Sequence, residues 1–369
     1  GGATPADLPR SIGVWLGVTQ GVGGMGVIIL SVAVLPLLGT GGLQLARAEL
    51  PGGKPDRLTP RFTETAKRLW FVYVGLTALA AVLLAAGDVD VYQAVVHAMT
   101  TTATGGFSTQ ATSVASFSTY TQWVITVFMF LAGVNFALHY KALRHPSVYA
   151  RDSEFRLYTA LIVAGIVLVA GGLLADNEPA GAIRDAVFTV VSLVTTTGFA
   201  PSDWGSWRPA LQILVIGLMF LGGMAGSTSG SVKTFRVGIL AKAAFSDLRR
   251  LVYPRGVFTV RFGRDRIPDH LLESIQSFFL FYMFLFMTGT FLLAFIDANM
   301  SESLNLVTAA SAVAAALGNI GPALADVGPT ATYASIAWPG KWLLSGLMIV
   351  GRLEIFPVLL LFTRDLWRR

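Results

Sequence analysis

Apolar residues fall along this chain in blocks of two lengths, and polar segments of two kinds separate them. Long blocks run from about Val14 to Leu38, Leu69 to Ala86, Tyr120 to Leu143, Leu157 to Ala175, Arg208 to Leu221, Leu271 to Ile296 and Lys341 to Phe362. Most are long enough to cross ~30 Å of hydrocarbon as helices at ~1.5 Å per residue. Short blocks, Val91 to Ala103, Ile183 to Val194 and Ser303 to Ala316, are too short to span. Each short block ends in a Thr- or Gly-rich stretch: Thr100 to Thr109 (TTTATGGFST), Thr195 to Ala200 (TTTGFA) and Leu317 to Pro322 (LGNIGP). The predicted unit is a spanning helix, a half-length helix, a hairpin and a second spanning helix. Irregular backbone at membrane depth is tolerated only where protein buries it or it lines a watery cavity, so repeated hairpins predict a pore.

Composition places the chain in the same class. Apolar residues make up 54% and charged residues 13%, so this reads as an all-α integral membrane protein. Cysteine is absent, which excludes disulfides, thiolate metal sites and thiol catalysis. The net charge of +6 is explained by its distribution. Lys and Arg crowd the connectors Arg47 to Arg68, Lys141 to Arg156 and Lys233 to Arg266, and the tail with Arg364, Arg368 and Arg369; the loops beside the hairpins are more acidic. By the positive-inside rule the connectors and C-terminus are expected in the cytoplasm and the hairpins open outside. No connector carries a nucleic-acid-binding motif.

Two glycine patterns invite a nucleotide reading and fail it. Gly21, Gly23 and Gly26 fit G-x-G-x-x-G but lie within an apolar helix rather than a βαβ unit; Gly13, Gly17 and Gly21 instead give one face small enough for close helix packing. Gly222 to Ser231 (GGMAGSTSGS) is followed by Lys233 and Thr234, but Ser231 and Val232 intervene, so the phosphate-loop spacing is not met. A run that poor in helix formers predicts a flexible break in a spanning segment. His97, His139, His145 and His270 lack metal-site spacing, and no catalytic constellation lies within the apolar segments, so an enzyme is not expected. Asp88, Asp90 and Asp203 are expected to be solvated at the mouth, where they would attract cations.

Backbone carbonyls in rings replace the hydration shell of a monovalent cation, and Gly106 and Gly198 permit the dihedrals that aim them inward. Thr104, Thr196 and Thr197 offer hydroxyls at the lower edge of such rings. The half helices would direct their partly negative C-terminal ends at the cation. Arg352 lies in the body of the last spanning block, where a charge costs at least ~2.5 kcal/mol and is normally functional or paired. Glu354 is two residues away, the wrong spacing for a bridge along one helix. Arg352 is expected either to meet the Gly222 to Ser231 break or to pair with an acid or carbonyl of a neighbouring helix.

In the stretches VGGMGVIILSVAVLPLLG, ATGGFST, TTTGF, GGMAGSTSGSVKT, GNIGP and GRLEIFPVLLLF the chain resembles the Trk-type potassium transporter membrane subunits, the TrkH/KtrB family. The resemblance covers nearly the whole chain. It implies four M1-P-M2 repeats around one potassium-selective pore in the bacterial inner membrane, a homodimer, and a cytosolic nucleotide-binding regulatory ring of the TrkA/KtrA type. Potassium is then the substrate, with no cofactor and no metal site besides the filter; a sodium-permeable or cotransporting relative is the alternative, and a membrane enzyme or scaffold with re-entrant loops the reading from another class. The repeats would be 1-45 (filter tail and M2 of the first), 46-145, 146-250 and 251-369, about three and a half of four, so the chain is expected to be truncated at its N-terminus. By matching, the ion-binding filter comprises Gly2; Thr104, Gly105, Gly106 and Phe107; Thr196, Thr197, Gly198 and Phe199; and Gly318, Asn319, Ile320 and Gly321. The implied gate is Gly222, Gly223, Met224, Ala225, Gly226, Ser227, Thr228, Ser229, Gly230 and Ser231 together with Arg352. Asn319 and Ile320 in place of Thr make the last hairpin the weakest match.

Overall fold

In a computed structural model of the chain, residues 8–33, 61–174, 178–253, 256, 258–263, 265–300 and 304–363 are described. Helix α1 (Arg10–Ala33) precedes three copies of the predicted unit. The first copy is α2 (Arg61–Ala85), half helix α3 (Val91–Thr102), then α4 (Thr119–Ala132) and α5 (Phe136–Ala142). After the short α6 (Val148–Arg151), the second is α7 (Ser153–Leu173), half helix α8 (Pro179–Val194), α9 (Pro209–Met219) and α10 (Thr234–Val252). The third is α11 (Asp269–Met300), half helix α12 (Leu306–Gly318), α13 (Trp338–Arg352) and α14 (Phe356–Leu361). Gly2 and the calls on Arg47 to Pro60, Arg264 and the tail arginines lie outside the described residues.

Among the described residues, α2, α7 and α11 pass as membrane spans by length and apolarity. The half helices, 12, 16 and 13 residues long, reach only ~18 to 24 Å. They form the centre of the molecule: α12 buries Thr308, Ala309 and every residue from Ser311 to Gly318. Small side chains let the surrounding helices close on it. On α1, Gly13, Gly17 and Gly21 face Tyr92, Val96 and Met99 of α3, as their spacing predicted.

Three expectations need correction. Tyr120 to Leu143 is not one helix: α4 and α5 meet at 101° across Gly133, Val134 and Asn135. Lys341 to Phe362 is likewise broken, because Glu354 and Ile355 take positive φ (61° and 54°) between α13 and α14. The Lys233 to Arg266 connector is mostly helix α10, followed by a two-residue antiparallel pair, β1 (Arg261–Phe262) with β2 (Asp265–Arg266). Among the described residues, the segment that follows each of the three described hairpins is therefore interrupted, whereas α1, α2, α7 and α11 are continuous. The freed polar groups find partners: Asn135 Oδ1 accepts from Ala137 N at 2.8 Å, and Gly133 O from Met224 N at 2.8 Å.

Candidate functional site

All three half helices end the same way. Thr104, Thr196 and Asn319 sit just past the helix ends with φ of 51°, 56° and 54°. Their N–H groups bond three residues back, to Thr101 O, Leu193 O and Ala316 O at 3.0 to 3.1 Å. The next N–H groups bond five residues back: Gly105 to Thr100 O (2.8 Å), Thr197 to Ser192 O (2.9 Å) and Ile320 to Ala315 O (2.9 Å). This is the Schellman motif, whose left-handed position normally holds glycine. A non-glycine residue there costs ~1 to 2 kcal/mol, and each of these three side chains makes a bond that offsets it. Thr104 Oγ1 donates to Thr228 O (2.9 Å), Thr196 Oγ1 accepts from Gly230 N (2.7 Å), and Asn319 Nδ2 donates to Met348 O (2.9 Å). Thr104 and Thr196 thus turn their hydroxyls to the Gly222 to Ser231 loop rather than to a ring of ligands. Thr197 Oγ1 pairs with Thr195 Oγ1 at 2.8 Å.

Two residues further on, Gly106, Gly198 and Gly321 again have positive φ (66°, 86° and 110°). These glycines let successive hairpins approach one another closely. A Cβ on Gly106 would lie 1.9 Å from Thr197 O, and one on Gly198 1.9 Å from Ile320 O. Each hairpin therefore presents a carbonyl to the glycine of the one before it. Gly321, at the end of this series, has nothing within 4 Å of such a Cβ, and Tyr333 donates its hydroxyl to Gly321 O at 2.7 Å. From behind, Thr100 Oγ1 and Ser192 Oγ donate to Phe107 O (3.0 Å) and Phe199 O (2.6 Å). Gly105 packs against the Gln20 side chain of α1, and Gly318 against Ile320.

The Gly222 to Ser231 loop runs beneath these hairpins, buried except at half-buried Gly226. Its own closure is sparse: Gly222 N bonds Val232 O (2.8 Å) and Thr234 N bonds Gly223 O (3.0 Å) at its ends, and Ser227 bonds Met224 O through both its N–H (3.2 Å) and its hydroxyl (2.6 Å) in the middle. Other elements satisfy most of the rest. Ala225 N donates to Glu154 Oε1 of α7 (2.7 Å), Gly226 O accepts from Phe136 N (3.2 Å), and Thr228 Oγ1 donates to Thr102 O (3.1 Å). Lys233 Nζ reaches back to Ser229 O (3.0 Å). Gly230 lies against Gly318 O, 2.4 Å from where its Cβ would be. The loop consequently touches the C-terminal ends of all three half helices.

Arg352 completes the arrangement. Its Nη1 donates to Thr228 O at 3.0 Å, the carbonyl that Thr104 also uses. Of the two expectations for this cation, contact with the loop is the one found. Glu354 turns away to form an ion pair with Arg236 of α10, a buried guanidinium stacked over Phe278 at 4.1 Å. Since α10 starts where the loop ends, this pair ties the loop's exit to the residue two positions past Arg352. Sequence reasoning missed Glu154 and Arg236, because each sits beside a connector rich in charge.

The remaining polar candidates are structural. His97 bonds Gln93 O (2.8 Å) and Ser108 Oγ (3.1 Å), and His139 bonds Tyr149 OH (2.7 Å) and Leu131 O (2.8 Å). No cluster of metal-ligating side chains occurs among the described residues. The mouth acids are not simply solvated. Asp90 caps α3 through Gln93 N (2.7 Å), and Asp203 accepts from Gly205 N (2.9 Å) and Thr330 Oγ1 (3.2 Å). Partial desolvation would raise Asp88, but hydrogen bonds from Ser118 and Thr121 outweigh it and hold the carboxyl at about 2.

Comparison with known proteins agrees with this geometry. The profile of the TrkH family, described as a cation transport protein, matches residues 3–368. The chain belongs to the TrkH family. This is a family of transporters, and its members are integral membrane proteins built on M1-P-M2 repeats. The "Trk system potassium uptake protein TrkH" of Halomonas elongata is 38% identical over 369 residues, 98% of this chain and 75% of that one. Its Escherichia coli K12 counterpart of the same name gives the same identity and shares. Among solved structures, the potassium transporter TrkH from Vibrio parahaemolyticus superposes with a TM-score of 0.86 at 34% identity, over 99% of this chain and 75% of that one. TrkH family membership is consistent with the repeated unit.

Proposed function

We propose that the chain takes up potassium across the bacterial inner membrane through a selective, gated pore. The observation that supports this reading is the seating of Thr197 O against Gly106 and of Ile320 O against Gly198, which packs a backbone carbonyl of one hairpin against the glycine of the hairpin before it. Thr104 to Phe107, Thr196 to Phe199 and Gly318 to Gly321 are the filter, and Gly2 is its contribution from the first repeat. Carbonyl dipoles there replace the ion's water, while the half helices add their negative ends from below. The names of the relatives, potassium uptake proteins, support the choice of ion.

The Gly222 to Ser231 loop and Arg352 form the barrier under the filter, in which the guanidinium both holds Thr228 O and repels a cation. The repeats divide at 1-45, 46-145, 146-250 and 251-369. The functional unit is a homodimer opened by a cytosolic nucleotide-binding ring. Basic connectors face the cytoplasm and hairpins the outside; a cysteine introduced at Asp247 is accordingly labelled from the cytoplasm, one at Asn299 from outside, and the reverse pattern would overturn the orientation.

Rescue of potassium-requiring growth by the full-length protein, with rubidium and sodium flux measured alongside, tests the function. Rescue with rubidium flux well above sodium flux is expected. Equal fluxes, or no rescue by protein detected at the cell surface, would contradict it.

A further inference from the structure

Away from the ion pathway, α10 carries one wall of a second cavity. Lys242, Ser246 and Arg249 follow at intervals of four and three, so they share a helix face. Opposite them runs the segment Phe258, Thr259, Val260 and Arg261, and the space between has a volume of about 450 Å³. The wall is held by its own basic residues: Lys242 Nζ donates to Arg261 O (2.9 Å), and Arg250 Nη2 to Phe258 O (3.1 Å). Three cationic side chains line the space, and no carboxylate is among the described residues that do. Ser246, only 9% exposed, also lines it, and its Oγ has no hydrogen-bond partner. A buried hydroxyl left unmatched costs free energy that a bound acceptor would recover.

The chemistry of that lining selects an anion with several acceptor oxygens. Guanidinium and ammonium groups around a hydroxyl donor suit phosphate oxygens, which accept charge-assisted hydrogen bonds from all three. Beside the cavity, Phe245, Leu248, Leu251, Val252 and Tyr253 of α10 and its end are exposed, between 58% and 79% each. An apolar strip next to a phosphate cradle matches a lipid, whose acyl chains lie along one and whose headgroup enters the other.

We propose that the cavity between α10 and Phe258 to Arg261 binds a phosphate-bearing anion, namely the headgroup of an acidic phospholipid. Because α10 begins three residues after Ser231, a ligand held there also fixes the helix into which the Gly222 to Ser231 loop runs. This site is separate from the filter and stands whether or not the pore prefers potassium.

The test is binding to the purified full-length protein in neutral detergent, with three probes: dioctanoyl phosphatidylglycerol, dioctanoyl phosphatidylcholine and inorganic phosphate. Phosphatidylglycerol is expected to saturate and phosphatidylcholine to bind far more weakly. At ~1 kcal/mol per surface cation and ~1.4 kcal/mol per decade, the triple variant Lys242→Gln, Arg249→Gln, Arg261→Gln should lose on the order of 100-fold. Should that variant fail to fold, Arg249→Gln alone, at an exposed side chain, should lose about fivefold on the same arithmetic. Inorganic phosphate that saturates as tightly as phosphatidylglycerol, and is lost in the variants, would overturn the lipid assignment. Equal phosphatidylglycerol binding by wild type and variants, or equal binding of both lipids, would overturn the site.

Discussion

The hairpins and the Gly222 to Ser231 loop are both irregular backbone at membrane depth, yet they are held in opposite ways. Each hairpin is closed mainly by its own half helix, through the bonds from Thr104 and Gly105, Thr196 and Thr197, or Asn319 and Ile320 back to the last turn. The loop borrows most of its partners: Gly133 O from the α4–α5 break, Glu154 from α7, Thr104 and Thr196 from the hairpins, Arg352 from α13. Locally closed backbone keeps its shape when neighbours move, whereas borrowed bonds are lost one element at a time. A filter needs the first property and a barrier the second. Under the proposed assignment Thr104 and Thr196 belong to both, since their side chains tie the loop to the caps of the half helices.

Breaking the loop's outer support gives the largest expected effect. Arg352→Ala removes a charged hydrogen bond worth ~1.5 to 3 kcal/mol and, on the proposed reading, the repelling charge with it; at ~1.4 kcal/mol per decade, flux per surface-expressed protein, measured without the proposed regulatory ring, should rise ten- to a hundredfold. Arg352→Lys keeps the charge and loses the planar fork, so its leak should be smaller. Loss of surface expression with no gain of flux would make Arg352 a structural pairing residue only.

Next comes the filter, where the same comparison predicts a change of selectivity rather than of leak. Gly198→Ser and Gly106→Ser place a Cβ against a carbonyl at positive φ, a strain of ~1 to 3 kcal/mol that should lower the rubidium-to-sodium flux ratio by about a decade. Gly321→Ser shares the backbone strain, at φ 110°, but meets no atom within 4 Å, so it should change the ratio less. Equal effects at the three glycines would separate selectivity from the carbonyl contacts.

Smaller effects follow at the single borrowed bonds. Glu154→Ala leaves Ala225 N buried without its acceptor, a loss of ~1 to 3 kcal/mol, and should leak with unchanged ion ratio; Glu154→Gln keeps an acceptor and should stay near wild type. Thr196→Ala likewise strands the buried Gly230 N, a loss of ~1 to 3 kcal/mol, and should leak, while Thr196→Asn restores an acceptor that tolerates the left-handed backbone. Identical flux in all four would show the loop to be held independently of these contacts.

The smallest expected effect lies outside both regions. Asp88 is held from its ordinary 3.8 down to about 2, so its contribution is fully present above pH ~4 and fades as pH falls toward 2. Asp88→Asn should lower the thermal unfolding temperature above pH ~4 and converge on wild type as pH falls toward 2, while leaving flux at neutral pH alone.

The half helices and hairpins were legible because a short apolar block ending in Thr and Gly admits few other readings, and Arg352 because a charge in an apolar block stands out. The roles of Thr104 and Thr196 were not, since a hydroxyl suits an ion and a carbonyl equally. The break at Gly133 to Asn135 was hidden in continuous apolar sequence, for its stabilising partner, Met224 N, lies some ninety residues away. Ile355 gives no local sign of its positive φ, being β-branched and fully buried. In α10 a helical pattern of burial at Phe235, Ile239, Ala243 and Ser246 was masked by the charges on its other face.

The most direct measurement is ion flux in liposomes holding the full-length protein, with rubidium and sodium followed together in Gly198→Ser and in a deletion of Met224 to Gly230. The account predicts that Gly198→Ser lowers the rubidium-to-sodium ratio without raising closed-state flux, and that the deletion raises flux while the ratio stays at the wild-type value. A deletion that abolishes selectivity without raising flux, or a Gly198→Ser protein that leaks with its ratio intact, would contradict the division between a permanent filter and a releasable barrier.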